Sequence, residues 1–269
     1  MSAPCYNLIV TKYTRVLQTT VSEIFSYPLS VFMWRFRLLV QLLIIYMLWN
    51  GVFAHTDTIF GYSKQYMMSY ILGVTVVSAI TTTMRTTDIA GDVLKGTVVN
   101  YLIKPISFFK YLLAKEAADK LIHVPLAIFE IGLLLVFFHP LLYIPSNIPL
   151  YLLFFLSVSM GWCISFFISL SLSFIAFWTT EIWAPRFIFT VVVSFVAGSL
   201  FPLDILPKPL YIVLLATPFP YFFYAPTAIV LGKAPWTLLI GSGIWLIISF
   251  TLARFIWQKG IKEFSFYGI

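Results

Sequence analysis

Residues 150–177 read LYLLFFLSVSMGWCISFFISLSLSFIAF, 28 residues without a charge. A helix needs about 20 mostly apolar residues to cross the hydrocarbon core of a bilayer. A barrel strand would alternate polar with apolar over about ten residues, and this run does not. An isolated strand would leave its backbone groups unpaired in lipid, so helix is the remaining conformation. Five other stretches have the same character: Leu38–Ala54, Tyr66–Met84, Leu121–Phe138, Phe187–Leu203 and Trp236–Trp257. Together they predict an all-α membrane protein with six transmembrane helices.

Composition agrees. Of the 269 residues 61% are hydrophobic and 10% charged, with a mean hydropathy of +0.96. A soluble domain carries about 25% charged residues, so one soluble core, a disordered chain and a disulfide scaffold are all excluded. The net charge of +7 reflects basic residues on the cytoplasmic side rather than a nucleic-acid partner. Cys5 and Cys163 are read as reduced packing residues; two thiols do not make a Cys₄ zinc site, and no metal is expected. The first strongly apolar stretch is long enough to span and is not followed by a small-residue cleavage site, so it is not read as a signal peptide.

A seventh stretch, Pro209–Leu231, has no charge but holds Pro209, Pro218, Pro220 and Pro226. Each proline inside a helix removes a hydrogen bond and clashes with the preceding turn. The stretch is therefore predicted to be a re-entrant or interfacial outer hairpin before the last span, with a seventh span as the alternative. Counting Lys and Arg favours six spans with both termini inside. That arrangement puts fourteen on the inner side and leaves Lys64, Lys208 and Lys233 outside, whereas seven spans give twelve against five.

Upstream, Ile9, Tyr13, Val16, Leu17, Thr20, Val21 and Ile24 fall on one helical face, and Pro28 bends or stops that helix. It reads as an N-terminal amphipathic interfacial helix on the inner surface, or as a cytoplasmic helix packed on nearby loops. The chain is thus expected to be a single transmembrane domain over 1–269: a cytoplasmic amphipathic segment 1–37, a six-span bundle 38–257 and a cytoplasmic tail 258–269. No internal repeat is visible, which lowers the case for a secondary transporter built from inverted halves.

The inner loop between the second and third spans is the most informative. It carries Asp88, Gly91, Asp92, Lys95, Gly96, Lys104 and Pro105, with apolar residues spaced as two short helices broken at Gly96. Such an element presents a mixed face to a soluble partner; the plain alternative is a solvated loop. The pattern D-x-A-G-x₄-G-x₅-L-x-K-P-I over Asp88–Ile106 resembles the ABC-2 type permeases, the membrane subunits of bacterial ABC exporters. Further matches follow in order: Phe177–Glu181, Gly198–Pro202, Ile205–Pro207, Pro218-Phe219, Pro226, Gly232 and the closing Phe264–Gly268. The resemblance covers nearly the whole chain.

The resemblance implies a mechanism. Two permease subunits, identical or similar, work in the cytoplasmic (inner) membrane with two copies of a cytoplasmic ABC ATPase. Asp88–Lys104 is then the coupling helix that docks on the ATPase. The path runs between the permeases along Tyr66–Met84 and Phe187–Phe201. Gly198, Phe201, Pro202 and Pro207 belong to an outer gate, and Trp178, Glu181 and Arg186 to a turn motif between the fourth and fifth spans. ATP and Mg belong to the partner. Consistently, the one Gly-Lys pair, Gly232-Lys233, has Thr227 and Ala234 where a P-loop needs Gly and Ser or Thr. The chain is read as non-catalytic.

Single residues refine this. Glu130 is the one acid well inside a predicted span, so it is expected to face the bundle interior, either touching a cationic substrate or a proton or serving as a hydrogen-bonded structural group. His123 lies two turns away and shares its face. Glu181 and Arg186 are placed to close their turn as an ion pair. The serines of the fourth span read as packing residues. A stand-alone secondary transporter or channel should show several buried ionisable groups, and one is visible. A non-transporting membrane scaffold is the other rival.

Overall fold

The uncharged run folds as one helix, and helices account for nearly every other segment. In chain order they are α1 (Ala3–Phe25), α2 (Pro28–Val52), α3 (Lys64–Thr81), α4 (Thr86–Leu94), α5 (Val99–Leu102), α6 (Phe108–Phe138), α7 (Ile148–Phe174), α8 (Trp183–Val196), α9 (Lys208–Leu215), α10 (Tyr224–Val230) and α11 (Leu238–Phe266). The computed structural model describes residues 3–83, 85–103 and 106–266, and leaves the side chains of 3–11, 87, 88 and 264–266 outside the description.

Among the described residues four helices are long and apolar enough to cross a membrane: α2, α6, α7 with its 3-10 extension to Phe177, and α11. Two of the six predicted crossings are shorter. Helix α3 has 18 residues and rises about 27 Å; α8 has 14 and rises about 21 Å. The helix predicted over Phe187–Leu203 ends at Val196 because Gly198 adopts φ 80° and turns the chain. In the other direction α6 starts at Phe108 rather than Leu121. Lys110, Lys115, Glu116, Asp119 and Lys120 lower the hydropathy there, but Ala, Leu, Lys and Glu are strong helix formers, so charge marks no boundary. Likewise α2 starts at Pro28, which needs no N–H in a first turn.

Pro209–Leu231 is not one helix. It forms α9, a 3-10 turn over Phe219–Tyr221 and then α10, whose residues Tyr224–Ile229 are all buried. Residues 58–63 form a two-stranded hairpin, β1 (Thr58–Ile59) and β2 (Tyr62–Ser63), turned at Phe60 (φ 53°) and Gly61 (φ 78°). Strands of two residues have no periodicity to read.

Helix α7 is the axis of the bundle and packs on α11, α10, α4 and α3, while α1 lies along α6. Close approach is built in at Gly161, where a Cβ would stand 2.5 Å from the carbonyl oxygen of Tyr221. The outward faces are strongly apolar. Phe32, Phe36, Ile44 and Met47 of α2, and Ile240, Ile244 and Ile247 of α11, are all exposed. Faces of that extent do not occur on a soluble monomer; lipid is the solvent they fit.

Candidate functional site

The site is built on one stripe of α6. Leu112, Glu116, Asp119, His123, Ala127, Glu130 and Leu134 recur at steps of three and four, and all are buried. They form the inward face of a helix, and four of the seven are ionisable. Each acid is held by a different element. Glu116, fully buried, accepts from the backbone N–H of Thr86 at 3.1 Å. Asp119 Oδ1 lies 3.3 Å from Arg85 Nε, and Arg85 also reaches Glu23 of α1 at 3.5 Å. Glu130 takes a bidentate grip from Arg35 of α2, with Nε to Oε1 at 2.7 Å and Nη2 to Oε2 at 2.5 Å.

Glu130 therefore faces the interior, with both oxygens committed to Arg35. The spans predicted from Leu38 and Leu121 leave Arg35, Glu116 and Asp119 outside, so one buried ionisable group is visible in the sequence where the structure buries several. The stripe itself was the missed signal: its spacing carries the apolar face of α6 through those acids without a break.

The junction between α3 and α4 is bolted from several sides. The Lys120 ammonium donates to the carbonyl of Thr82. Ser173 Oγ of α7 donates to the carbonyl of Thr86 at 2.7 Å. Arg186 of α8 donates through Nη2 to Ser173 Oγ at 2.5 Å and to Thr86 O at 3.4 Å. The turn-closing pair expected between Glu181 and Arg186 is thus not made. Glu181 is exposed, and Arg186 reaches across to α7 and the head of α4. Trp178 stays half exposed, edge-on to Phe177.

Below this junction the chain makes the two short helices expected on either side of Gly96, which has φ 75°. Asp92 fastens their turn: Oδ1 accepts from Thr97 Oγ1 at 2.9 Å and Oδ2 from the Tyr101 hydroxyl at 2.8 Å. Ile89, Ala90, Val93 and Val98 are buried in a cluster with Phe108, Phe166, Leu170 and Phe174. Leu94, Leu102 and Ile103 are exposed, as is Lys95, while Gly91 is partly covered. Lys104, Pro105 and the Asp88 side chain lie outside the described residues.

A cavity of about 260 Å³ opens above the junction, between α2, α3, α6 and α8. Its α3 wall runs from Ile71 to Thr82, about 16 Å of helix. Thr190, Val193 and Ser194 of α8 face it, so it takes in parts of both segments to which the family resemblance pointed. The far end is stapled shut. Tyr70 OH donates to Gly198 O at 2.6 Å, Trp49 Nε1 to Leu200 O at 2.9 Å, and Tyr224 N to Ala197 O at 3.1 Å. Gly198 is required there, since a Cβ would stand 2.8 Å from both Tyr224 Cβ and Tyr70 OH. Phe201 packs partly buried on two apolar clusters, Pro202 leads into the 3-10 turn Leu203–Ile205, and Pro207 precedes α9. Asp204 on that turn accepts from the Tyr62 hydroxyl at 2.9 and 2.8 Å. Burial first, and then the Asp204 carboxylate, push the Tyr62 phenol well above its ordinary value.

A helical bundle with apolar outer faces, an inner cavity of mixed polar and apolar lining and a braced elbow has the build of a multi-pass membrane protein. A family model described as ABC-2 family transporter protein matches residues 38–268, and the chain belongs to that family. Members of that family are membrane transport subunits, generally non-catalytic, that normally work with an ATPase subunit. A comparison with curated proteins gives no match.

Proposed function

We propose that the chain is the permease subunit of an ATP-driven exporter of the cytoplasmic membrane. In this reading α2, α3, α6, α7, α8 and α11 are the six spans and both termini are cytoplasmic. Helix α1 lies at the inner surface, and 258–269 is a cytoplasmic tail. The short α3 and α8 span with the help of the segments they lead into, and α9–α10 is the re-entrant outer hairpin. Two copies of a separate ATPase carry ATP and Mg, and a second permease, identical or similar, completes the conduit. The coupling surface comprises Asp88, Gly91, Asp92, Lys95, Gly96, Lys104 and Pro105.

The observation that supports this reading is the bolted α3–α4 junction. A push on α4 meets α3, α6, α7 and α8 through polar contacts at Thr82 and Thr86, and three of those helices wall the cavity. Force applied at a cytoplasmic knob therefore reaches the cavity walls without passing through a flexible loop. Gly198, Phe201, Pro202 and Pro207 then act as the outer gate that such a push releases.

The test is co-purification of the chain with an ATPase, followed by Asp88→Ala with Lys95→Ala. The double variant is expected to insert normally and to lose substrate stimulation of the ATPase. Full coupled transport by that variant refutes the coupling assignment, and solute flux in vesicles holding the purified chain alone refutes the whole reading. The buried acids of α6 favour one rival, a proton-coupled stand-alone transporter. Transport that stops on collapse of the proton gradient and persists without ATP would select it.

A further inference from the structure

A second cavity, of about 300 Å³, lies at the corner of α1 and α2, lined among others by Glu23, Tyr27, Ser30 and Arg85. It shares Trp34, Asp119 and His123 with the cavity above the elbow. These three side chains are therefore a partition between an outer vestibule and the interior.

The partition holds two polar atoms that the fold leaves unfilled. Asp119 Oδ2 and His123 Nδ1 are buried and have no hydrogen-bond partner among the described residues, on side chains 3% and 9% exposed. Lys120 stands 4.0 Å from Asp119 Oδ2, beyond hydrogen-bond reach, and that ammonium is turned onto Thr82 O. His123 faces Asp119 Oδ1 with Nε2 at 3.7 Å. A carboxylate draws the N–H to that nitrogen, which makes Nδ1 an acceptor.

Five hydroxyls of the inner cavity also turn acceptors towards it. Thr75, Ser78, Thr190, Ser194 and Ser199 all donate their hydroxyl protons to backbone carbonyls, so only lone pairs are left for the cavity. Two of the interior cations are committed, Arg35 to Glu130 and Lys120 to Thr82. Arg37, which also lines the inner cavity, is exposed and lies over the Trp34 ring, 4.3 Å from its centroid. In the vestibule two carboxylates, Glu23 and Asp119, face one guanidinium, Arg85, which leaves a formal excess of one negative charge beside two aromatic rings. Two buried acceptors without a hydrogen bond, an excess negative charge in the vestibule and an aromatic rim call for a ligand that donates hydrogen bonds, is cationic and has an apolar body.

We propose that Trp34, Asp119 and His123 form a recognition site for an organic cation, an ammonium or guanidinium group on an apolar body, and that this is the substrate class the permease takes up at its inner face. The uptake half rests on the transport reading; the binding half does not. The source is either a free amphiphile or the headgroup of an amino-phospholipid.

The purified full chain is placed in nanodiscs of phosphatidylcholine and phosphatidylglycerol, with no ATPase. Saturable binding of dodecylammonium is measured beside dodecanol and dodecyl sulfate. Wild type should bind the amine at least about tenfold more tightly than either tail control, and Asp119→Asn should lose about tenfold. Glu23→Gln, on the exposed rim, and Trp34→Leu should each weaken it severalfold. They carry the test alone if Asp119→Asn does not fold. Equal binding of amine and alcohol, or amine binding unchanged in the variants that fold, overturns the site. Replacing phosphatidylcholine by phosphatidylethanolamine separates the sources. Competition marks a lipid headgroup and its absence a free amphiphile, and either result supports the site. If the amine binds but drives no ATPase stimulation in the complex, the site stands and the uptake half falls.

Discussion

Arg35→Met strips Glu130 of both donors and leaves a carboxylate that is 6% exposed. Each bond to a charged group is worth about 1.5–3 kcal/mol net, so two amount to roughly 3–6. Breaking a buried ion pair from one side costs about 3–5 kcal/mol by a separate route, because the remaining charge stays uncompensated. The two ranges overlap at about 4 kcal/mol. At about 2–4 °C per kcal/mol, either Arg35→Met or Glu130→Leu should lower the melting midpoint by roughly 8–16 °C. Combining them should recover most of the loss, since apolar residues of similar volume fill the gap without a stranded charge. The assay is thermal unfolding of the purified chain in detergent, followed by tryptophan fluorescence, run as a double-mutant cycle. Single variants within about 1 kcal/mol of wild type, or a double variant as unstable as the sum of its parts, would show that the pair is not the closed contact described here.

Two further outcomes follow from the stapled end. Gly198→Ala places a methyl 2.8 Å from two side-chain atoms at a left-handed φ of 80°; the backbone alone adds about 1–3 kcal/mol of strain, so a melting midpoint unchanged from wild type would contradict the close approach. Tyr62→Phe removes the bond to Asp204 and should destabilise at neutral pH; because the folded phenol is pushed upward, wild type binds that proton more tightly folded than unfolded. Its advantage over the variant should be constant below about pH 10, the unfolded value, and shrink as pH rises above it. An advantage that grows with pH runs against that assignment.

The membrane class was legible because it rests on bulk apolarity, which no tertiary contact reverses. The elbow was legible for a different reason: Gly96 needs a left-handed φ, and glycine between two apolar periodicities is a local signal. Helix limits were not legible where charge and helix propensity disagree, as at Glu116–Lys120, or where an isolated glycine stops an apolar run, as at Gly198. Partner choice was least legible of all. Arg186 lies five residues from Glu181 in sequence, yet it reaches the head of α4, 100 residues away. Arg35 and Glu130 are 95 residues apart. Their ionic fit exists only once α2 lies along α6, and no spacing rule encodes that.

The three acids of α6 bear on why such contacts are kept. Burying a charge costs on the order of several kcal/mol even after relaxation, and an apolar stripe in the same register would pack α6 with no such penalty. Stability alone therefore does not explain Glu116, Asp119 and Glu130. What distinguishes them is that each latches a different element: the head of α4, the Arg85 corner with α1 behind it, and α2. Charge-assisted bonds of 2.5–3.1 Å are short-range and directional, so they hold one arrangement firmly and release it over a small displacement, where an apolar face would slide. Helix α6 then acts as a rail on which neighbouring elements catch in register. The paired replacement of Arg35 and Glu130 separates the two roles: with the latch gone and the packing kept, the chain should melt near wild type and lose transport. Full transport by that variant would mean that the latch between α2 and α6 is dispensable.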